Sequence, residues 1–333
     1  MALNRAELNL YIWSGTTSDK PTAANFIISK TKITTHSDIN FEVGELINDF
    51  LNPVFNDDYG STTNGNIDCL YVNAYTRLFD TDDVAFDHNN PVDVTYLAVN
   101  GYGTFEDGTN PELSRNALIS SNNVYVPENT VSKIPIFAEG VGKFIIGSTT
   151  TQVTDNGNSN QKIQYINVPA NSTSVLIYDT DDSTLKKTIT VHNICEPKFT
   201  SYKISFLNKL GAIQDLYFFK KTTEKFNVTD STYKTNIIEN ASGTYNTYKG
   251  QKQRYNVNAK TSLTMNTGFI DEDMNTTIEE LFLSENIWIR FNNKTLPVMP
   301  TSKSLQYKTK LNDKLIDYTI DFEFAFNKIN NVR

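Results

Sequence analysis

Three histidines and two cysteines are the side chains best suited to hold a metal or attack a substrate, and they are scattered. His36, His88 and His192 lie in three different regions, whereas a zinc site wants paired His or Cys at short intervals. Each therefore reads as a surface or strand residue. Cys69 and Cys195 read as two free, mostly buried thiols, with a single disulfide between them as the alternative. Carboxylates cluster twice, as Asp80, Asp82 and Asp83 in FDTDDVAFD and as Asp179, Asp181 and Asp182 in YDTDDS. An EF-hand loop needs Gly at its sixth position and Glu at its twelfth, and neither stretch supplies them. Turn residues capping strand ends account for both, with a cation site of another kind as the chemical alternative. Gly101-Tyr102-Gly103 could open a dinucleotide fingerprint, but Glu106 stands where the third Gly belongs. Gly140-Val141-Gly142-Lys143 could open a phosphate loop, but Phe144 replaces the required Ser or Thr. Asp321 and Glu323 share one strand face, which is an acidic surface before it is a glycosidase pair. No catalytic, cofactor-binding or metal-ligating residue is assigned, and no cofactor is expected.

The elements around these residues alternate with period 2. In LIDYTIDFEFAF, residues 315–326, Tyr318, Ile320, Phe322, Phe324 and Phe326 fall on one side, with Thr319, Asp321, Glu323 and Ala325 on the other, which predicts a half-buried strand. Leu305, Tyr307, Thr309 and Leu311 alternate just before it, and Asn312-Asp313 can turn the chain, so a hairpin is expected there. Strands are also expected over 7–13, 25–33, 67–79, 92–100, 134–137, 143–146, 162–168, 174–178, 187–191, 202–206, 213–219 and 286–291, with another starting at Ile39, Phe41 and Val43. Asn64-Gly65 marks a hairpin turn. Gly211 supplies the backbone angle for a reversal between residues 206 and 213. Thr154 to Asn160 reads as a turn or flexible tip. Pro297 and Pro300 around Val298-Met299 suit an edge segment or loop. Two short helices are expected, over 44–51, ended by Pro53, and over 275–284, capped by Asn275 or Thr276 with Glu279 and Glu280 near its positive end.

A chain of 333 residues exceeds the usual single core. The expected fold is mainly β, with two or three β-sandwich or barrel-like domains and one or two short helices. The divisions fall at 1–110, 111–197 and 198–333, the second being a compact sandwich and Ile194-Cys195-Glu196-Pro197 a linker. With 17 Tyr and 20 Phe, aromatic side chains fill the cores and favour strands. A net charge of −8 argues against gripping nucleic acid through its phosphates, and Lys220, Lys221 and Lys225 read as a solvated strand end. No stretch reaches the ~18 apolar residues of a membrane helix, and the first residues lack the apolar core of a secretion signal.

From YKISFLNKLGAIQDLYFFKK, through LTMNTGF, IEELFLSENIW and Leu296-Pro297-Val298 to the closing LNDKLIDYTIDFEFAFNKINNVR, the chain resembles virion proteins of bacteriophages that infect Bacteroidota, crAss-like podoviruses among them. LNLYIWSG through NFEVGELINDFL is similar to the opening of such proteins. The likeness lies in the order of short patterns over most of the chain and brings no site residues. It implies a structural role in the tail, the baseplate or the head–tail neck, as one subunit of a homo-oligomeric ring made in the host cytoplasm. The partners implied are other copies of the chain and neighbouring tail or neck proteins, with DNA passing through unbound and no membrane contact. An acidic lining of such a channel is expected, because like charge keeps phosphates from adhering. The alternatives are a receptor- or glycan-binding tail adaptor, with Tyr102, Tyr245 and Tyr248 stacking on sugars, and a tail-borne depolymerase.

Overall fold

The structure is a computed structural model, and it describes residues 3–33, 35–60, 69–86, 93–108, 116–238, 243–302, 304–307 and 315–329. It is mainly β, with 47% of residues in strands and 9% in helices, so the expected class holds. The chain forms several sheets whose apolar faces meet, a sandwich-like arrangement.

The first sheet contains β1 (Arg5–Trp13), β2 (Phe26–Thr31), β3 (Cys69–Phe79), β4 (Ala85–Phe86) and β5 (Asp93–Val99), in the order β2-β1-β3 with β4 and β5 both on the far side of β3. Helix α1 (Gly44–Asn48) covers one side, where Leu46 and Ile47 pack on Leu10, Ile12, Leu70 and Val72. Ile39, Phe41 and Val43 do not form the expected strand. A strand needs a ladder partner for its amides; this stretch instead seals the same small core with Val43. The Asn64-Gly65 turn and His88 lie outside the described residues.

The middle of the chain supplies β6 (Asn123–Pro127), β7 (Ser132–Phe137), β8 (Lys143–Ile146), β9 (Thr149–Gln152), β10 (Ile163–Val168), β11 (Ser174–Tyr178) and β12 (Leu185–Ile194). β7 pairs with β10, while the others form a sheet in the order β6-β12-β11-β8-β9, with β6 and β12 parallel. β9 was not legible in the sequence, since Thr149-Thr150-Thr151-Gln152 has no apolar alternation and is exposed; β6, with Val124, Tyr125 and Val126, is a further strand beyond those expected. Residues 154–160 contain the expected turn, around Gly157, and it is tied to the rest of the fold. Lys162, 1% exposed, donates to Asp155 at 2.5 Å and to the Gly157 carbonyl at 2.5 Å, and it pairs with Glu139 at 3.0 Å. The same loop meets the first sheet: the Tyr71 hydroxyl donates to the carbonyls of Asn158 and Ser159, and the Asn160 amide donates to the Cys69 carbonyl at 2.6 Å. Burial would lower the Lys162 pKa, but Asp155 and Glu139 outweigh it and raise it.

The last third contains β13 (Tyr202–Leu207), β14 (Ile213–Phe218), β15 (Thr223–Lys234), β16 (Lys252–Asn266), β17 (Ile270–Asp271), α2 (Asn275–Leu283), β18 (Ile287–Phe291), β19 (Lys294–Pro300), β20 (Leu315–Ile316) and β21 (Thr319–Phe324). Seven of these strands form a sheet in the order β14-β13-β18-β19-β21-β16-β15. Gly211 has φ +80°, as its turn requires, and the Asn208 side chain accepts from the amides of Leu210 and Ala212.

Two expectations fail here, and a third is met only locally. Pro297 and Pro300 lie inside the sheet, in β19. Residues 294–297 of this strand pair with β18 and residues 298–300 with β21, the two ladders meeting at Pro297, whose carbonyl also accepts from the Ala325 amide; the ladders are staggered, so the strand is an edge over most of each half, which proline tolerates. The closing strand is broken into β20 and β21, and its partners are β17, β16 and β19 in place of the segment just before it. Ser304 to Tyr307 form no strand, and Asn312-Asp313 lies outside the described residues. Tertiary pairing with the long β16 overrides the local hairpin. Finally, α2 is entered through a 3-10 turn whose cap is Asp271, accepting from the Glu272 amide, so neither Asn275 nor Thr276 caps it. Glu280 consequently sits past the first turn and is buried.

One apolar cluster runs from Ala117 and Ile134 through Val175 and Ile189 to Phe206, Leu263, Phe322 and Phe324. It crosses residues 194–197, where the sequence suggests a linker.

Candidate functional site

The feature that most departs from a closed fold is the hairpin of β15 and β16. β21 pairs with β16 only at residues 262–266, so the ten residues from Lys252 to Thr261 pair with β15 alone. At ~3.4 Å per residue that part of the hairpin reaches roughly 30 Å. Only its base is held: the Lys328 amide donates to the Ala259 carbonyl at 2.7 Å, and Asn258 bonds the Ile329 backbone. The inward side chains change character along β16. Leu263 and Met265 are fully buried, whereas Val257 and Tyr255 are exposed. Phe226 is 56% exposed, Tyr245 59% and Tyr248 81%, an unusual density of uncovered aromatic surface for one element.

The arm is also basic. Residues 223–266 hold six Lys and Arg against three Asp and Glu, a surplus of three positive charges; with the whole chain at −8, everything outside the arm stands at −11. The register sharpens this, because Lys234 and Lys252 stand directly opposite each other. Like charges in that position repel. Arg254, by contrast, pairs with Asp230 at 3.0 Å beside an irregularity in the ladder between Thr229 and Ser231. That irregularity re-aims the outer residues, and beyond it Tyr233 and Tyr255 meet edge to face with ring centroids 5.6 Å apart.

The body presents a groove of about 630 Å³ between α1, the end of β5, the β13–β14 turn and the end of α2. Its walls include Ile47, Leu51, Leu97, Leu210 and Leu283, and its rim includes Glu45 and Glu285. Its floor explains Gly101: a Cβ there would lie 2.6 Å from the Lys209 carbonyl oxygen, to which the Tyr102 amide donates at 2.9 Å. Gly101-Tyr102-Gly103 is thus a close backbone crossing. Tyr102 is not a free stacking platform either. Its hydroxyl is buried, and burial together with Glu280 and Glu279 pushes its pKa up to about 12.

A second polar cluster sits where residues 57–60 cross the C-terminal sheet. Asp215, on β14, is buried and accepts from Tyr59 at 2.6 Å and Ser205 at 2.5 Å, with the Lys203 ammonium 3.7 Å away. Lys203 also pairs with Asp57, and Arg290 approaches Asp57 at 3.5 Å. Burial raises the Asp215 pKa against the pull of Lys203, Ser205 and Tyr59, and burial also raises that of Tyr59. Every polar group here is matched inside the protein, so the cluster reads as a clasp between segments.

The residues singled out by chemistry are dispersed. His36 is exposed, while His192 stacks on Tyr125 with centroids 4.5 Å apart and bonds Asn123. Asp80 accepts from the amides of Asp82 and Val84, and Asp181 accepts from Ser183 and Thr184, both turn-forming roles, while Asp83 pairs with Arg5 on β1. Hydrogen bonds from Thr184 and Ser183 hold the Asp181 carboxyl far below its usual range. Asp321 accepts from Thr264, and Glu323 pairs with Lys260 at 2.6 Å, so both face β16. Gly140 closes a 3-10 turn between β7 and β8. Lys220 pairs with Glu196 at 2.6 Å. Neither cysteine is in a disulfide; Cys69 is buried as expected, but Cys195 is exposed, because β12 ends before it. Among the described residues no three His, Cys, Asp or Glu side chains converge, and no helix is long and apolar enough to cross a membrane.

No protein-family model matches the chain, and no curated protein matches it.

Proposed function

We propose that this chain is a structural subunit of a bacteriophage virion, one copy in a homo-oligomeric ring of the tail or head–tail neck, acting through protein–protein contacts and not as an enzyme. The observation that carries this reading is the hairpin arm of β15 and β16, which leaves Phe226, Val228, Tyr233, Tyr255 and Tyr248 uncovered in a single copy. An aromatic hairpin reaching roughly 30 Å from its last ladder partner is suited to lie on a neighbour. Ring subunits meet through two different surfaces, and closure follows from a fixed rotation between copies. An arm on one side and a groove on the other supply two such surfaces. The resemblance of the sequence to phage virion proteins points the same way, and passage of DNA through the ring without binding fits a body with a strong negative balance.

The test is the mass of the purified chain by light scattering and native mass spectrometry. A closed assembly such as a hexamer or dodecamer is expected; a monomer at every concentration refutes the ring. A second reading, a glycan- or receptor-binding tail adaptor, is favoured by one observation, the exposure of Tyr245 and Tyr248 in the loop that joins the two strands of the arm. Sugars stack on such rings, and a glycan array without hits refutes it.

A further inference from the structure

From the charge and shape of these two features we infer that the groove between α1 and α2 receives the basic, aromatic arm of a second copy of this chain. The inference rests on the ring reading and specifies its contact. Four cavities of the body differ in charge. That between β7, β10, β8 and β9 is lined by no charged residue, so nothing in it would answer a lysine pair. That beside Asp57 and Asp215 contains Lys133 and Lys203, and its carboxylates are already engaged. That beside Phe324 sets Glu224 against Lys294 and Lys328. Of these four, the α1–α2 groove joins apolar walls to uncommitted negative charge. Glu45 and Glu285 are exposed, and neither side-chain carboxylate has a hydrogen-bond or ion-pair partner among the described residues. Among those residues Lys209 is the one basic residue in the groove's lining, against Glu45 and Glu285.

The arm carries the complement of each feature. Lys234 and Lys252 oppose each other in register, and neither has an ion-pair partner among the described residues. Such a pair is unfavourable in isolation, and a partner bringing two carboxylates removes the penalty. Tyr233 and Tyr255 lie on the other face of the ribbon from this pair, so the aromatic face would seat on the leucine-lined walls while the long lysine stems reach over the edge to the rim carboxylates. The surplus of three positive charges on the arm against −11 elsewhere means that one copy offers both signs to the next. This is the pattern that steers head-to-tail association and lowers self-pairing of arms.

The experiment uses the full chain. Charge is reversed in the arm (K234E/K252E), in the groove (E45K/E285K) and in both, and association is followed by sedimentation at low and physiological salt. In parallel, a photo-crosslinking benzoylphenylalanine replaces Tyr255, and mixed isotope-labelled copies distinguish contacts between chains from those within one. Each single reversal should weaken association about tenfold or more, and the combined variant should regain most of it. Crosslinks should join position 255 of one copy to residues 44–51, 97–102 or 283–286 of another. If crosslinks between copies map elsewhere and groove reversal has no effect, the groove assignment falls while the ring reading stands. If no crosslinks between copies form and the chain remains monomeric, both fall. Loss of heparin retention in K234E/K252E, with mass and crosslinks unchanged, would assign the arm to an anionic polymer and overturn the proposal.

Discussion

Replacing Lys203 by Met isolates the clasp that ties residues 57–60 to the C-terminal sheet. The ammonium lies 3.7 Å from Asp215 Oδ2, and at an effective dielectric near 20 that attraction is worth about 4 kcal/mol. Methionine keeps the stem and removes the charge, leaving a buried carboxylate with only Tyr59 and Ser205 to satisfy it. Breaking such a pair costs about 3–5 kcal/mol. The loss has a ceiling, because the folded variant can protonate Asp215. From the ordinary value of 3.8, that escape costs about 4.4 kcal/mol at pH 7 and about 1.6 kcal/mol at pH 5, at 1.36 kcal/mol per pH unit. The sign follows: the folded-state pKa of Asp215 is raised, so between 3.8 and the folded value the native state holds more protons than the unfolded one, and stability falls as pH rises. Removing Lys203 raises that pKa further and widens the window. Urea unfolding, followed by fluorescence of Trp288, which packs on Phe55 with centroids 5.4 Å apart, should therefore show Lys203→Met less stable by about 3 kcal/mol at pH 7.5 and by under about 1.5 kcal/mol at pH 5. Lys203→Met combined with Asp215→Asn should recover much of the loss, since no buried charge is then left alone. A deficit independent of pH from 5 to 8, or a double variant no better than the single one, refutes the reasoning.

Phe322→Ala removes a fully buried ring that meets Phe218 edge to face, and thermal or urea unfolding should show a loss of about 3–5 kcal/mol. Phe226→Ala, on the exposed arm, should change the stability of one copy by no more than about 0.5 kcal/mol yet weaken assembly measured by sedimentation. Gly101→Ala places a Cβ 2.6 Å from the Lys209 carbonyl oxygen, so a destabilisation of about 1–3 kcal/mol is expected in the same unfolding assay. A thiol reagent should label one cysteine per folded chain, Cys195, and two in urea; Glu128 raises the Cys195 pKa, so labelling should keep increasing above the pH at which an ordinary thiol levels off.

The β class and most strand positions were legible because period 2 is a local signal. Tyr202 to Leu207, Ile213 to Phe218 and Ser174 to Tyr178 each bury one face and announce it in sequence. What failed was pairing. The closing strand carries the same alternation whether its partner is the segment before it or β16, fifty residues away, and only packing decides. The prolines of β19 suggest an edge or a loop, and the sequence cannot show that staggered pairing with β18 and β21 lets a strand inside the sheet keep an edge over most of each half. The arm was missed for a related reason. Thr223 to Lys234 and Lys252 to Asn266 mix lysine, asparagine and threonine with widely spaced aromatics, since outside the core no face has to be uniformly apolar. The charge asymmetry was present in the residue types but gains meaning only when β15 and β16 are known to stand together. The buried charges at Lys162, Asp215 and Glu280 gave no local signal, as their partners come from distant segments.

The arm's composition also bears on why it should be covered. A two-stranded ribbon without a third strand or a packed face is marginal in water, and an uncovered edge invites pairing with any exposed strand. This arm carries lysines and arginine, which blunt the edge against nonspecific pairing, together with an irregularity that twists it. Those devices discourage like arms from meeting each other, because Lys234 would face another copy's Lys252 or its own kind. They do not discourage an acidic partner. A surface protected against itself but open to opposite charge favours contact between two different patches, and repeated contacts of that kind give a ring when the rotation between neighbours closes.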